Sequence, residues 1–593
     1  MAEYTNPNQQ GGGGMDSRSL MFTVVVFLLV FFGMQYFLPK KTPDQQNGQP
    51  QATQSSEQQT ASPAAPTPAA AAVNARAIVA TAETETVVEN ELYKIRFTNH
   101  GAQVTSWILK KYKDAQGQPL DLVHTDTAAK FGYPLSLYTY DAGLTAKLSQ
   151  PLYVTSASGA LNTPGTLSFH YADGNGLEVV KTFTFDQSYV IHADTLVTQN
   201  GAPVRALLSW PVGPNALSKI RSGLGFNSSG STSEQLDTMQ DDKATHVAAA
   251  KVTSGNTLSG PFDWAGVSDL YFGAVFMPDA PDTATVVSIV NPVDVVISDK
   301  KTVTMPVIGA ALGDVSGHTQ TRLYVGPKVY ELLKQIHSAG GNGTNGPSIE
   351  KIIDFGFFGP IAKFLYFSLY FVDRYITGNW GWAIIVLTFI INLVILPMRI
   401  TTMKSALKMQ RIQPQMEQIK AKYAKYKVTD PKRADMNAEI MKLQKDNGVN
   451  MFGGCIPTLV QLPLLFAFMS MLPKVTELHL QRWGWLPDLT GPDPYHILPI
   501  VLILTSFLAQ YYMPSPGVDP QQQKMMAFMM PAIFGFMFWS YPTGAGLYYC
   551  TSNMIMLGQQ LIMNRTSLGR EMREIAAKRA RRKAGTGVIQ GKR

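Results

Sequence analysis

The chain has 593 residues, 45% hydrophobic and 16% charged, with a formal net charge of +8 and two cysteines; that length allows two or more domains. Residues 42–345 hold 19 basic and 26 acidic side chains, whereas Arg565–Arg593 holds ten basic and two acidic. That split excludes one continuous basic surface for nucleic acid and fits a membrane protein with a single wet domain outside.

Residues 1–19 are polar and glycine-rich and read as a disordered cytoplasmic N-terminus. Leu20–Leu38 is the first apolar span. Only Arg18 precedes it as a basic n-region, and no small-x-small site precedes Pro39-Lys40-Lys41, so it reads as an uncleaved anchor rather than a signal peptide. Lys40 and Lys41 argue against an inward N-terminus, and the larger charge bias downstream outvotes them. Residues 39–85 form a Gln/Ser/Ala/Pro linker.

Across residues 86–338 short alternating runs, such as Tyr93-Lys-Ile-Arg-Phe97 and Val179-Val-Lys-Thr-Phe-Thr-Phe185, lie between Gly, Asn, Asp and Pro turns. They predict a large antiparallel β-sandwich. His100, His124, His170 and His192 are scattered, without the clustering of a catalytic or metal site. Val329–His337 predicts a closing helix and Gly340–Gly346 a flexible joint. Residues 347–376 are apolar but interrupted by Gly356, Gly359, Pro360 and Lys363. They read as an interfacial helix on the outer leaflet.

The second span, 380–398, starts at Trp380 and Trp382 and ends at Arg399. Residues 399–452 carry twelve Lys/Arg against five Asp/Glu, so this insert lies in the cytoplasm. Met409, Ile412, Met416, Ile419, Tyr423 and Tyr426 alternate steps of three and four, as in a coiled-coil seam. Met436, Ile440 and Leu443 supply the matching stripe after a Thr429-Asp430-Pro431 helix start. The insert is thus a basic helical hairpin. Further spans follow at 455–473, 495–513, 525–541 and 546–563, with an outer loop at Lys474–Pro494 and a basic cytoplasmic tail at 565–593. Cys455 and Cys550 fall inside spans as packing residues, with no disulfide framework or zinc spacing. Six spans place both termini in the cytoplasm. The predicted fold is a polytopic α-helical membrane protein, six transmembrane helices with a five-helix core, carrying a large exported β domain.

With direction fixed, the intramembrane polar residues fall almost entirely between midplane and cytoplasmic face: Thr388 and Asn392, Thr458 and Gln461, Thr505, Ser506 and Gln510, then Thr551, Ser552, Asn553, Gln559 and Gln560. Hydrogen-bonded helix packing has no reason to prefer one leaflet. A cavity open to the cytoplasm does. These spans hold no Asp, Glu, Lys or Arg away from their ends, so a proton relay lacks its usual parts. No phosphate-loop motif appears, and no nucleotide or other cofactor is expected.

Gly378-Asn-Trp-Gly381, Gly453-Gly-Cys-Ile-Pro457 with Gln461-Leu-Pro463, Asp493-Pro-Tyr495 with Ile497-Leu-Pro499, and Leu547-Tyr-Tyr549 with Ser552-Asn553 together resemble the YidC membrane-protein insertases of Gram-negative bacteria, over nearly the whole chain. The resemblance implies a mutarotase-like supersandwich without enzymatic activity in the periplasm, a place in the inner membrane, and insertion of nascent membrane proteins alone or with the Sec translocon. It implies a substrate path along Leu462, Leu465, Tyr548 and Tyr549 over a polar floor of Thr388, Asn392, Gln461 and Ser552, with Thr505 and Ser506 nearby. Arg399, Lys404, Lys408 and Arg411, with Arg579, Arg581, Arg582 and Lys583 of the tail, would meet the ribosome or anionic lipid. The family usually has an arginine at the position of Asn392; either this chain depends less on that charge, or Arg399 at the cytoplasmic mouth partly substitutes for it. The rival functions are a small-solute transporter or channel, which needs a polar path to the outer leaflet, and an enzyme sited in the β domain, which needs clustered acid/base residues there.

Overall fold

The computed structural model describes residues 76–114, 116–214, 234–298, 301–340, 344–426, 430–449, 456–512 and 520–590. The N-terminal stretch, the span Leu20–Leu38, most of the linker, Thr429 and Cys455 lie outside the described residues.

Alternating runs become strands because a period of two buries one face. In Leu177–Phe185 the residues Leu177, Val179, Lys181, Phe183 and Phe185 are buried and those between them are not. The largest sheet is antiparallel and has ten strands, from Lys243–Ala248 at one edge, through Trp264–Ser268, Phe272–Pro278, His318–Pro327 and Val190–Gln199, to Val154–Thr155. A five-stranded sheet is built on Glu85–Glu89, Tyr93–Thr98 and Gln103–Lys113, with Gly159–Asn162 added in parallel. Another is built on the long hairpin of Ala284–Ser298 and Lys301–Asp314. Trp107, Trp210, Trp264, Phe97 and Phe183 fill one shared core between them.

That core also holds an acid. Glu234 is 2% exposed, one carboxyl oxygen accepts from Ile308 N at 2.9 Å, and the side chain lies against Gly213, where a Cβ would crowd it. Burial pushes its carboxyl up to about 8 from an ordinary 4.5. A raised carboxyl favours the fold fully below pH 4.5 and loses that contribution as pH rises through 8. Glu234→Gln keeps the acceptor for Ile308 N and should flatten this slope. At pH 9 the variant should be the more stable by on the order of 2 kcal/mol, read from thermal melts of the full chain at pH 5 and 9.

The helix expected over Val329–His337 is confined to Tyr330–Leu333. His337–Ala339 pairs with Asn345–Ser348, so Gly340 and Gly346 belong to a hairpin rather than to a joint. A Cβ at Gly340 would sit 2.7 Å from Thr344 O, and the glycine serves close approach there.

The C-terminal region is helical. Its helices are α1 (Gly359–Val372), α2 (Trp380–Lys422), α3 (Lys432–Asp446), α4 (Ile456–Met471), α5 (Ile497–Tyr512), α6 (Pro520–Phe538), α7 (Thr543–Arg565) and α8 (Ser567–Gln590). In α1, Ala362, Leu365, Tyr366, Leu369 and Val372 are buried, while Phe364 and Phe371 stay exposed. Second span and first hairpin helix are one element. Helix α2 runs 43 residues through Pro397 and Pro414, because each proline removes one backbone bond that a long, packed helix tolerates. Among the described residues, α2 is the helix long and apolar enough by itself to cross a membrane.

The hairpin seam forms, with Ile412, Met416 and Val449 buried against Met409, Ile440 and Leu443. Its second helix starts one residue later than expected, at Lys432, whose N–H is capped by Asp430 Oδ1 at 2.9 Å. The tail is a helix, α8, that packs Met572 between Met403 and Leu407 of α2 and pairs Glu571 with Arg411.

The β domain sits on the loop between α4 and α5. Thr476 Oγ1 donates to the carbonyls of Tyr271 and Lys328 at 3.2 Å. The Tyr271 ring stacks on His479 at 4.1 Å, and its hydroxyl reaches Thr490 at 3.0 Å. Local sequence explains how the core helices start. Gly378 turns left-handed at φ 61°, and the Asn379 side chain then accepts from Gly381 N and Trp382 N, a polar N-cap. Gly381 lies against Trp483, where a Cβ would come within 2.7 Å of the Trp483 Cβ. Asp493 accepts from Tyr495 N and Leu498 N at 3.0 and 2.7 Å and so begins α5.

Candidate functional site

The polar residues of the core converge on α7. Tyr548, Ser552, Asn553 and Gln559 face three different helices. Toward α4, Gln461 Nε2 donates to Tyr548 Oη at 2.7 Å. Toward α5, Asn553 Nδ2 donates to Ser506 Oγ at 2.6 Å. Toward α2, Ser552 Oγ lies 3.3 Å from Asn392 Nδ2 and 3.4 Å from its Oδ1, and Gln559 Nε2 donates to Asn392 O at 3.4 Å.

Arg399 completes the α2 side. Its guanidinium folds back to donate to Asn392 Oδ1 at 3.0 Å and to Gln559 Oε1 at 2.7 Å. Residues seven apart on a helix share a face, so Asn392 and Arg399 on α2 meet Ser552 and Gln559 on α7 as two facing stripes. Asn392 lies about 18 Å along α2 from Trp380. Among the described residues Arg399 makes no ion pair with a carboxylate; neutral amides hold a cation.

This packing differs from a wet floor. Thr388 and Asn392 are fully buried, Ser552 and Ser506 nearly so. Thr388 Oγ1 bonds back to Ile384 O at 2.6 Å, Thr505 Oγ1 to Val501 O at 2.8 Å, and Asn392 Nδ2 to Thr388 O at 2.8 Å. The physical reason is Arg399 itself: the guanidinium expected at a ribosome- or lipid-facing surface occupies the space beside Asn392 and satisfies its carbonyl oxygen.

The remaining expected residues fall in two groups. Leu465 is buried and Leu462 half-buried on α4; Tyr548 is fully buried and stacks on Phe468 at 4.2 Å, while Tyr549 stacks on Phe534 and Phe538. Lys404, Lys408, Arg411 and Arg581 are exposed, Arg411 in its pair with Glu571. The side chains of Thr458, Arg579, Arg582 and Lys583 lie outside the described residues. Gln559 and Asn553 join the site as members that the expected polar floor lacks. The signal for Gln559 is its seven-residue spacing from Ser552, the same as Arg399 from Asn392.

Residues 371–570 match the family model for the 60Kd inner membrane protein, and residues 85–368 the model for the YidC periplasmic domain. The chain is 30% identical over 574 residues to the membrane protein insertase YidC of Geobacter metallireducens, covering 93% of this chain and 99% of the relative. It is 32% identical over 575 residues to that of Pelobacter propionicus, with the same coverage. A solved structure of an active YidC insertase with its first transmembrane domain resolved matches 92% of this chain and 100% of that one at 17% identity and a TM-score of 0.31, a likeness that carries no argument. With a β-rich periplasmic domain at residues 85–368 and a helical inner-membrane region after it, the chain belongs to the YidC family of membrane protein insertases.

Proposed function

We propose that the chain inserts apolar segments of newly made proteins into the inner membrane from the cytoplasmic side, and that the stripe of Asn392, Arg399, Ser552 and Gln559 receives the polar tail or loop that travels with each segment. The supporting observation is the Arg399 guanidinium, held by two neutral amide oxygens. A cation so placed welcomes an incoming anion without first breaking an ion pair. In this reading Leu20–Leu38 is the sixth span, both termini are cytoplasmic, and the β domain is a periplasmic supersandwich. The apolar segment passes the wall of Leu462, Leu465, Tyr548 and Tyr549 into lipid. The basic hairpin, with Lys404, Lys408 and Arg411, and the tail, with Arg579, Arg581, Arg582 and Lys583, meet the ribosome; the Sec translocon is a partner for larger substrates.

The energetics need no nucleotide. Twenty apolar residues at roughly −0.3 to −0.6 kcal/mol each release about 6 to 12 kcal/mol, against about 3 kcal/mol for one charge at the membrane centre. The protein lowers the barrier that this charge raises. For Asn392→Leu combined with Gln461→Leu, the expected result is a folded protein that inserts a single-span substrate with a charged tail about ten-fold more slowly in reconstituted vesicles, which corresponds to ~1.4 kcal/mol. Unchanged insertion would remove the polar stripe from the pathway.

A further inference from the structure

The face of α1 turned toward α2 leaves an unfilled apolar cleft of about 370 Å³, lined by Phe364, Phe367, Ser368 and Phe371 of α1 with Leu387 and Ile390 of α2. Phe364 and Phe371 are 69% and 56% exposed. We propose that the chain's own N-terminal apolar segment, Leu20–Leu38, docks in this cleft through its outer half.

Two polar features select that occupant. Gln35 is the one amide in the segment, and an amide in hydrocarbon requires a partner. Ser368 is the one hydroxyl lining the cleft; its Oγ donates to Phe364 O at 2.9 Å and retains acceptor capacity for the Gln35 amide. Phe31 and Phe32 lie four and three residues before Gln35 and Leu38 three after it, so a helix presents them on one face as apolar filling.

The second feature lies at the end of the cleft. Asp373 follows Val372 of α1; its side chain is half-buried, and its Oδ1 has no hydrogen-bond partner among the described residues. Lys40 and Lys41 follow Leu38 after one proline and bring cations to that carboxylate. The tether permits the contact. The chain joins the β domain where Ile78 bridges Ala172, and the intervening 39 residues of sequence span up to about 130 Å when extended.

The test is disulfide formation in inner-membrane vesicles carrying the full chain with Cys455→Ser and Cys550→Ala and a protease site placed in the linker. Phe32→Cys is paired with Phe371→Cys or, on the opposite cleft wall, with Ile390→Cys. A third pairing uses Phe536→Cys, an equally exposed residue of α6. After oxidation and linker cleavage, the two fragments should stay joined at least about ten-fold more with either cleft cysteine than with the α6 cysteine, as a high local concentration requires. Ser368→Ala with Asp373→Asn should abolish that excess. Equal yields at α6 would overturn the docking. So would a product joining two chains, which assigns the cleft to a second copy, or fragments that separate while Phe371→Cys reacts with a lipid-linked maleimide, which assigns it to lipid.

Discussion

Arg399→Leu should slow insertion of substrates with an acidic translocated tail by about ten-fold or more, while slowing neutral-tailed substrates several-fold less. Hydrogen bonds to a charged group contribute about 1.5–3 kcal/mol, and a group that first meets the tail converts that range into roughly ten- to hundred-fold in capture rate. The guanidinium bridges Asn392 Oδ1 and Gln559 Oε1 from two nitrogens, a fork that lysine cannot reproduce. Arg399→Lys should therefore recover only part of the acidic-tail rate. Arg399 and Gln559 are half-buried, so raising salt should weaken the wild-type preference only in part. Parallel assays with matched acidic and neutral tails check all of this. An equal slowdown for both tails would make Arg399 a strut between α2 and α7 rather than a receptor for charge.

The same residue shows how much of the site was legible beforehand. Asn392 and Ser552 are readable from the sequence because an amide and a hydroxyl sunk in apolar runs must find partners, and they find each other. The seven-residue spacings were equally on the page. What sequence withholds is the rotamer. A long side chain at the inner end of a span snorkels outward to phosphate or folds inward to an amide with the same sequence, and only the facing Gln559 decides it. The closed state of the polar stripe was hidden for that reason.

The fold divides along similar lines. Period-two runs and the capping residues Asn379, Asp430 and Asp493 announce strands and helix starts, since each satisfies a local backbone need. The run from Trp380 to Lys422 changes from apolar to basic at Arg399 within one continuous helix, because helix propensity is indifferent to that change in polarity. Gly340 and Gly346 mislead: a glycine for close approach and a glycine for flexibility look alike until the partner strand is known. The helical tail was not foreseen, because its packing depends on Met403 and Leu407 more than 160 residues away in the chain.

Lys181→Met should destabilise the β domain by about 3 kcal/mol or more, the largest effect expected from any single substitution there. Lys181 occupies the inward stripe of its strand, between Val179 and Phe183, and is 0% exposed. Its Nζ lies within hydrogen-bond distance of the carbonyls of Gly101, Ala102 and Leu135, at 3.0, 2.9 and 2.9 Å. Those carbonyls lie in the core because Gly101, Ala102 and Leu135 all adopt positive φ, at 68°, 49° and 63°. Two left-handed turns thus aim three acceptors at one point, and a methionine there leaves them unsatisfied at about 1–3 kcal/mol each. Burial pushes the Lys181 amine down to about 7 from an ordinary 10.5. Between those values the unfolded chain binds a proton that the folded chain does not, so this residue's contribution to stability rises with pH from about 7 to 10.5. The Glu234 slope has the opposite sign and a lower window, which overlaps this one only between about pH 7 and 8. Hydrogen exchange on the full chain at pH 7 and 9 should show faster opening of Leu177–Phe185 and of the Gly101–Ala102 turn in Lys181→Met, with the wild-type gain between the two pH values missing. A variant as protected as wild type, with that gain intact, would mean the three carbonyls are satisfied without the lysine.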